Sequence, residues 1–369
     1  MTQKKMPKHQ WIDSNARLAD AAERWNGVIG LDTEFQRTDT FYPIPGLYQL
    51  VADAEIWLID PLAIDDWRPL TRALEDPATV KIMHSCSEDL ELIAHHLGVQ
   101  PTNLFDTQIA YAFVSEHLSI SYANLVKALL GLLLPKHQVR SDWLRRPLSD
   151  AQVSYACEDV ASLPALHRLL SGELEAKGRW DWFREDMALR EAAPTIGPDR
   201  YYLGVKGAWR LNGTQLGALK ALCAWRERQA MAEDRPRNRV VWDEHLLHFA
   251  RHGNLTVALI ETRLPRRLAQ RYGDALITAH GEGRATPVEA SVPRPLNGGQ
   301  NALVKQLRAV GLDRAARLGL APELLSRRRD LEACLRHHAS TGDLSATFRG
   351  WRGALVGTEF TTILSTQAP

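Results

Sequence analysis

Apolar and polar positions follow two different periods along this chain, and the change of period divides it. Between residues 27 and 84 the apolar runs are short, rich in β-branched and aromatic residues, and bounded by Gly, Pro and Asp. They are GVIGLDTEF (27–35), LYQLVA (47–52), EIWLID (55–60) and TVKIMH (79–84), and each predicts a strand. Only Asp53 and Ala54 separate the second run from the third, a spacing that predicts a hairpin and therefore an antiparallel pair. Helical spacing takes over at about 66–76, 86–97, 107–116 and 121–131, and a long helix is predicted from about 150. The first half thus reads as a mixed α/β domain with helices covering a sheet.

Near EAAPTIGPDR (191–200) strand-like runs largely stop. Helical, Arg-rich stretches follow, among them TQLGALKALCAWRERQAMAED (214–234) and WDEHLLHFARHG (242–253). The Pro- and Gly-rich GEGRATPVEASVPRPLNGGQ (281–300) reads as a linker, and a last helical piece runs from ALVKQLRAVG to FRGWRGALVG. Three domains are expected, at 1–195, 207–285 and 296–360.

Composition narrows the class. The 369 residues are 45% hydrophobic and 24% charged, ordinary for a globular protein with room for several cores. Cys86, Cys157, Cys223 and Cys334 are scattered without a C-x-x-C pair, which fits a reducing compartment and argues against a disulfide framework. MTQKKMPKHQWIDS has no apolar leader and no run approaches ~18 apolar residues, so the expectation is a cytoplasmic protein with no membrane span. The net charge of +1 conceals an asymmetry: 19 Lys+Arg against 27 Asp+Glu in 1–190, then 26 against 17 in 191–369. Basic helical modules beside an acidic half gain meaning if the acidic half handles a polyanion.

Three acidic segments bear on that. Asp32 and Glu34, two apart at the end of an apolar strand, project to the same side. Like charges placed together there are costly unless hard cations such as Mg²⁺ compensate, although in a chain with 44 acids a D-x-E alone is better explained by a strand end turning into solvent. In SCSEDLELIAHHLG, Ser85 and Glu88 are spaced as a capping box, which leaves Asp89 on the face of Leu92 and Ile93, toward the sheet. In LSDAQVSYACEDVASL, Ser149 and Gln152 form a second box, and Tyr155 and Asp159 share one helical face while Glu158 looks outward.

LDTEF, HSCSEDL and YACEDV, in that order, resemble the three motifs of the DEDD exonucleases, in the subclass with Y-x-x-x-D. With LDTEFQRTDTFYP, GLYQL, LIDPL, FDTQIA, SDWLRRPLS and GWRGAL, nearly the whole chain resembles the bacterial ribonuclease D family. The resemblance implies an RNase H-like exonuclease domain followed by two all-α HRDC-type domains. It implies 3′→5′ exoribonuclease chemistry with two divalent cations, Mg or Mn, held by Asp32, Glu34, Asp89 and Asp159. In that scheme Asp32 bridges both ions, Glu34 and Asp159 serve the water-side ion, Asp89 acts through coordinated water, and Tyr155 positions the nucleophile. The expected partner is RNA with a free 3′ end, in the family chiefly transfer RNA precursors, with no obligate protein partner evident.

Weaker expectations attach to basic residues. Lys136 and Arg140 stand before the third motif, and Arg226 and Arg237 interleave with Trp225 and Trp242, a mixture that suits single-stranded RNA. Both tryptophans are expected mainly in the core. Removing 200–369 is expected to weaken RNA binding and leave slow cleavage. The rival readings are a DNA-directed 3′→5′ exonuclease with the same carboxylates and a non-catalytic RNA-binding scaffold. No G-x-x-x-x-G-K-[ST], G-x-G-x-x-G or G-x-S-x-G is present to support other enzyme classes.

Overall fold

In the computed structural model, which describes residues 8–135, 141–191, 197–289 and 292–366, the first half of the chain builds one sheet. Its strands are β1 (Gln10–Ile12), β2 (Val28–Gln36), β3 (Ile44–Ala52), β4 (Glu55–Ile59), β5 (Val80–Met83) and β6 (Leu104–Asp106), ordered β1-β4-β3-β2-β5-β6. β3 and β4 are antiparallel, whereas β1 with β4, β2 with β5 and β5 with β6 are parallel, so the sheet is mixed as the pattern predicts. The predicted hairpin is present. Ala52 pairs with Glu55, and Asp53 (φ 46°) and Ala54 (φ 63°) both take the left-handed conformation that a tight two-residue turn requires. β1 and β6 were not anticipated, because three residues are too few to display a period.

The helices of this half are α1 (Asn15–Ala22), α2 (Arg68–Glu75), α3 (Ser87–Leu97), α4 (Thr107–Val114), α5 (Tyr122–Leu130), α6 (Asp150–Ala161), α7 (Leu163–Ala176) and α8 (Trp180–Glu191). The helix expected to run on from about 150 is broken at Ser162, because Pro164 has no N–H to continue the ladder. The Tyr122 hydroxyl bridges the break, accepting from the Ser162 N–H and donating to the Glu158 carbonyl, both at 3.3 Å. The Ser149–Gln152 capping box forms as expected. The Ser85–Glu88 box does not: α3 starts after Cys86 and has no side-chain cap. Ser85 sits at φ 58°, and the Ser85 and Cys86 N–H groups go instead to the Asp106 carboxylate at 3.0 and 3.3 Å. Glu88 is therefore an exposed residue without the capping role its spacing suggested.

Beyond residue 106 the described residues contain no strand. Helices α9 (Gly213–Ala232), α10 (Arg237–Val240), α11 (Asp243–Ala250), α12 (Val257–Glu261) and α13 (Arg266–Ala285) precede α14 (Gly298–Leu318), α15 (Glu323–Ser326), α16 (Arg328–Thr341) and α17 (Gly350–Ser365). The stretch expected as a linker from 281 is helical up to Ala285. Its Gly283 is there for contact, since a Cβ would lie 2.5 Å from the Gly217 carbonyl oxygen of α9.

Contacts divide the chain into two units. One holds Met1–Gln36, Pro45–Ala193 and Leu296–Pro369, and the other holds Arg37–Ile44 and Pro194–Pro295. In the first, the last helical segment shares a single core with the sheet and its helices. Trp351 stacks on Trp182 at 5.4 Å, and the Ala321 N–H donates to the Ala112 carbonyl at 2.9 Å. The buried Arg352 pairs with the buried Asp186 and donates to the Leu324 carbonyl at 2.8 Å. Residues 200–369 are thus not dispensable to the exonuclease half, because part of them completes its core. Among the described residues no helix is long and apolar enough to cross a membrane.

Candidate active site

The end of β2 gathers the acidic residues. Even-numbered residues of the strand face α6 and α7, as Gly30 shows: a Cβ there would come within 3.0 Å of Leu163. Asp32 and Glu34 follow Gly30 on that side. Asp159 from α6 meets them, and one carboxylate oxygen from each of the three lies within 4.8 Å of the others. Asp89 enters from the first turn of α3, buried with Leu92 and Ile93 as its helical spacing predicted. It stands outside that set of three, held by a hydrogen bond from the Thr33 hydroxyl. The Tyr155 hydroxyl hydrogen-bonds Asp159 one turn away.

Electrostatics mark the cluster as incomplete without positive charge. Burial, then the charges of Asp89, Asp159 and Glu34, hold Asp32 well above the usual carboxylate range. Burial followed by Asp159 and Asp89 pushes Glu34 up to about 8. Asp159 is raised to about 7 by burial, against the pull of the Tyr155 hydrogen bond. Asp89 is raised to about 6 by burial, against the Thr33 hydrogen bond. Tyr155 is shifted above its ordinary value by burial and by Asp159, Glu34 and Asp32, so it is a neutral phenol at physiological pH. Hard oxygen donors, crowded together and starved of counter-charge, fit divalent cations that also take phosphate oxygens.

Several supporting residues escaped the sequence reading. Thr33, between the two acids, faces the opposite way and orients Asp89. Tyr122 fixes the junction beside Asp159. Asp106 caps α4 through the Gln108 and Ile109 N–H groups while shaping the turn before α3. Nothing in local spacing announces such long-range partners. Glu158, expected to look outward, is buried.

The basic residues fare differently. Lys136 and Arg140 lie outside the described residues. Arg226, expected to meet RNA, is 1% exposed; its guanidinium pairs with Glu227 (2.7 Å) and Asp243 (3.0 Å) and donates to the Val241 carbonyl (2.8 Å), so it is structural. Arg237 is part-exposed, but its Nη2 is bonded to Glu227 at 3.0 Å and its guanidinium lies over the Tyr201 and Phe41 rings. Trp225 packs edge-on against Tyr272 as expected for core. Trp242 does not: it is 56% exposed, at the start of α11.

Comparison with known proteins agrees with this geometry. A 3′–5′ exonuclease family profile matches residues 9–175, and an HRDC domain profile matches 215–279. The chain is 41% identical to ribonuclease D of Pseudomonas paraeruginosa, covering 95% of this chain and 96% of that protein. Against Escherichia coli ribonuclease D identity is 33%, over 94% of this chain and 96% of that one. The crystal structure of E. coli RNase D, described as an exoribonuclease involved in structured RNA processing, superposes with a TM-score of 0.89 over 98% of this chain and 100% of that one. With similarity spanning nearly the whole chain and a part-buried cluster of acidic residues whose chemistry fits divalent metal, the chain belongs to the ribonuclease D family and is a metal-dependent 3′→5′ exoribonuclease.

Proposed function

We propose that the protein removes nucleotides one at a time from RNA 3′ ends by two-metal-ion hydrolysis and releases nucleoside 5′-monophosphates. We further propose that it acts in the cytoplasm, in the 3′ maturation of transfer RNA precursors and other small stable RNAs. The observation that carries the reading is the convergence of Asp32, Glu34 and Asp159, with Asp89 electrostatically coupled to them, in a part-buried cluster whose shielding from water raises all four carboxyls. These four would hold two cations, Mg or Mn. When bound, such ions activate the attacking water and stabilise the leaving oxygen of an in-line displacement.

The chain's own groups do the rest. Tyr155 keeps its proton, and its hydroxyl, anchored on Asp159, orients the attacking water rather than deprotonating it. Thr33 holds Asp89 in place, and Tyr122 holds the α6–α7 junction that carries Asp159. The helical segments at 207–285 and 296–360 are read as HRDC-type domains, a reading supported for the first by the profile at 215–279.

A time course on a 3′-extended transfer RNA with Mg²⁺, Mn²⁺ or EDTA tests the proposal, with a matched DNA oligonucleotide alongside. Release of 5′-mononucleotides from RNA with either ion, none in EDTA, and none from Asp32→Asn or Asp159→Asn is expected. Metal-independent release, or full activity in both variants, would refute it.

A further inference from the structure

The motif SDWLRRPLS lies outside the acidic cluster, yet its residues are tied down more tightly than a surface loop requires. Arg146 uses all five of its N–H donors. Nε and Nη2 clasp Asp60 at 2.8 and 2.6 Å, and Nη2 also reaches the Gly46 carbonyl at 2.7 Å. Nη1 donates to the Trp143 and Arg145 carbonyls at 2.8 and 2.9 Å. The guanidinium faces the Trp11 ring at 5.7 Å, and the Asp60 side chain is only 9% exposed. A fork of this kind is rigid and cannot be reproduced by a point charge.

What the clamp holds is Trp143. That residue is buried and packs on Gly46 so closely that a Cβ there would sit 2.6 Å from the Trp143 Cβ. The same Cβ would sit 3.2 Å from the Glu34 carbonyl oxygen, so the contact lies beside an acid of the cluster. The Trp143 ring lies 6.0 Å from the Tyr155 ring, inclined by 38°. Gln152, in the first turn of α6, reaches back to the Asp142 carbonyl at 3.1 Å. A continuous path therefore runs from Asp60 through Arg146 and Trp143 to Tyr155, whose hydroxyl is on Asp159.

We propose that Arg146, clasped by Asp60, is a positioning residue for Tyr155: it seats Trp143 as the wall that fixes the phenol's approach to the carboxylates. The inference rests on the reading of Tyr155 given above. Neither Arg146 nor Asp60 is bonded to the cluster, so loss of the clamp acts on turnover through ring placement, and small misplacements in a reacting site are costly.

A double-mutant cycle on the full-length protein with Mg²⁺ tests it, using Arg146→Lys, Tyr155→Phe and the pair, with thermal unfolding as a check on folding. Arg146→Lys is expected to lower kcat roughly tenfold with KM nearly unchanged. In the Tyr155→Phe background the same change is expected to have little further effect. Trp143→Phe, which keeps the clamp and shrinks the wall, should behave like Arg146→Lys and stands in if the lysine variant does not fold. If the fold losses multiply in the pair, Arg146 acts on stability or elsewhere and the inference fails while the Tyr155 reading stands. If Tyr155→Phe alone turns over like the unmodified protein, both fail.

Discussion

Removing metal should make this protein less stable as pH rises, against the trend of a carboxylate paired with cationic side chains. Glu34, Asp159 and Asp89 have ordinary values of 4.5, 3.8 and 3.8 and are raised to about 8, 7 and 6, chiefly by burial. A group whose folded value lies above its unfolded value lends stability that is complete below the unfolded value and is lost as pH climbs through the folded one. The window is therefore about pH 5 to about pH 8. The carboxylates titrate as a set, so one retained proton is a sound minimum. At about 1.4 kcal/mol per pH unit, that proton is worth about 4 kcal/mol across the window, or roughly 10 °C in Tm for a unit of this size. The assay is thermal unfolding of the full-length protein in EDTA from pH 5 to pH 8, repeated with saturating Mg²⁺, for the natural chain and a Glu34→Gln, Asp159→Asn variant. Tm in EDTA should fall with pH in the natural chain relative to the variant, and Mg²⁺ should restore it most at pH 8. Parallel curves for the two proteins in EDTA, or a Mg²⁺ effect equal at pH 5 and pH 8, would refute the reasoning.

Other outcomes follow from features away from the cluster. Ala54→Gly relieves a left-handed alanine in the β3–β4 turn and should raise stability by about 1 kcal/mol without changing turnover, as denaturant unfolding would report. Deleting 296–369 should destabilise the sheet-bearing unit and abolish cleavage, and Arg352→Met alone, which removes the buried one of Asp186's two arginines and leaves Arg190 at 3.0 Å, should cost about 2 kcal/mol; a truncated chain with intact near-UV dichroism and activity would contradict this. Trp242→Ala should weaken single-stranded RNA binding by about 1 kcal/mol in a filter or anisotropy assay and leave stability almost unchanged, whereas Arg226→Ala should do the reverse.

How much of this was legible in the sequence depended on range. Asp32, Glu34, Asp89 and Asp159 could be placed because strand and helix periods fix which side a residue faces within one element. The hairpin at Asp53–Ala54 and the Ser149–Gln152 cap were readable for the same reason. Ser85 was misread because its N–H is claimed by Asp106, at the end of β6, and a spacing rule sees only neighbours. Glu158 and Arg226 were misjudged because charge suggests solvent, whereas tertiary contacts decide burial; Arg226 is sunk beside Glu227 and Asp243. Trp242 went the other way, a large ring left uncovered. Least visible was the packing of Trp351 and Arg352 against Trp182 and Asp186, some 170 positions earlier, for which no local pattern exists.

That distant pairing sets an order on the molecule's birth. While the chain is still emerging from the ribosome, the sheet and its acids are made early, but the wedge of Trp351 and Arg352 is translated only after an entire separate unit has been threaded out. Until then Asp186 has only Arg190, four residues on at 3.0 Å, and waits for its buried partner. The core that backs the acids can therefore close in full only once the last helical segment has been made.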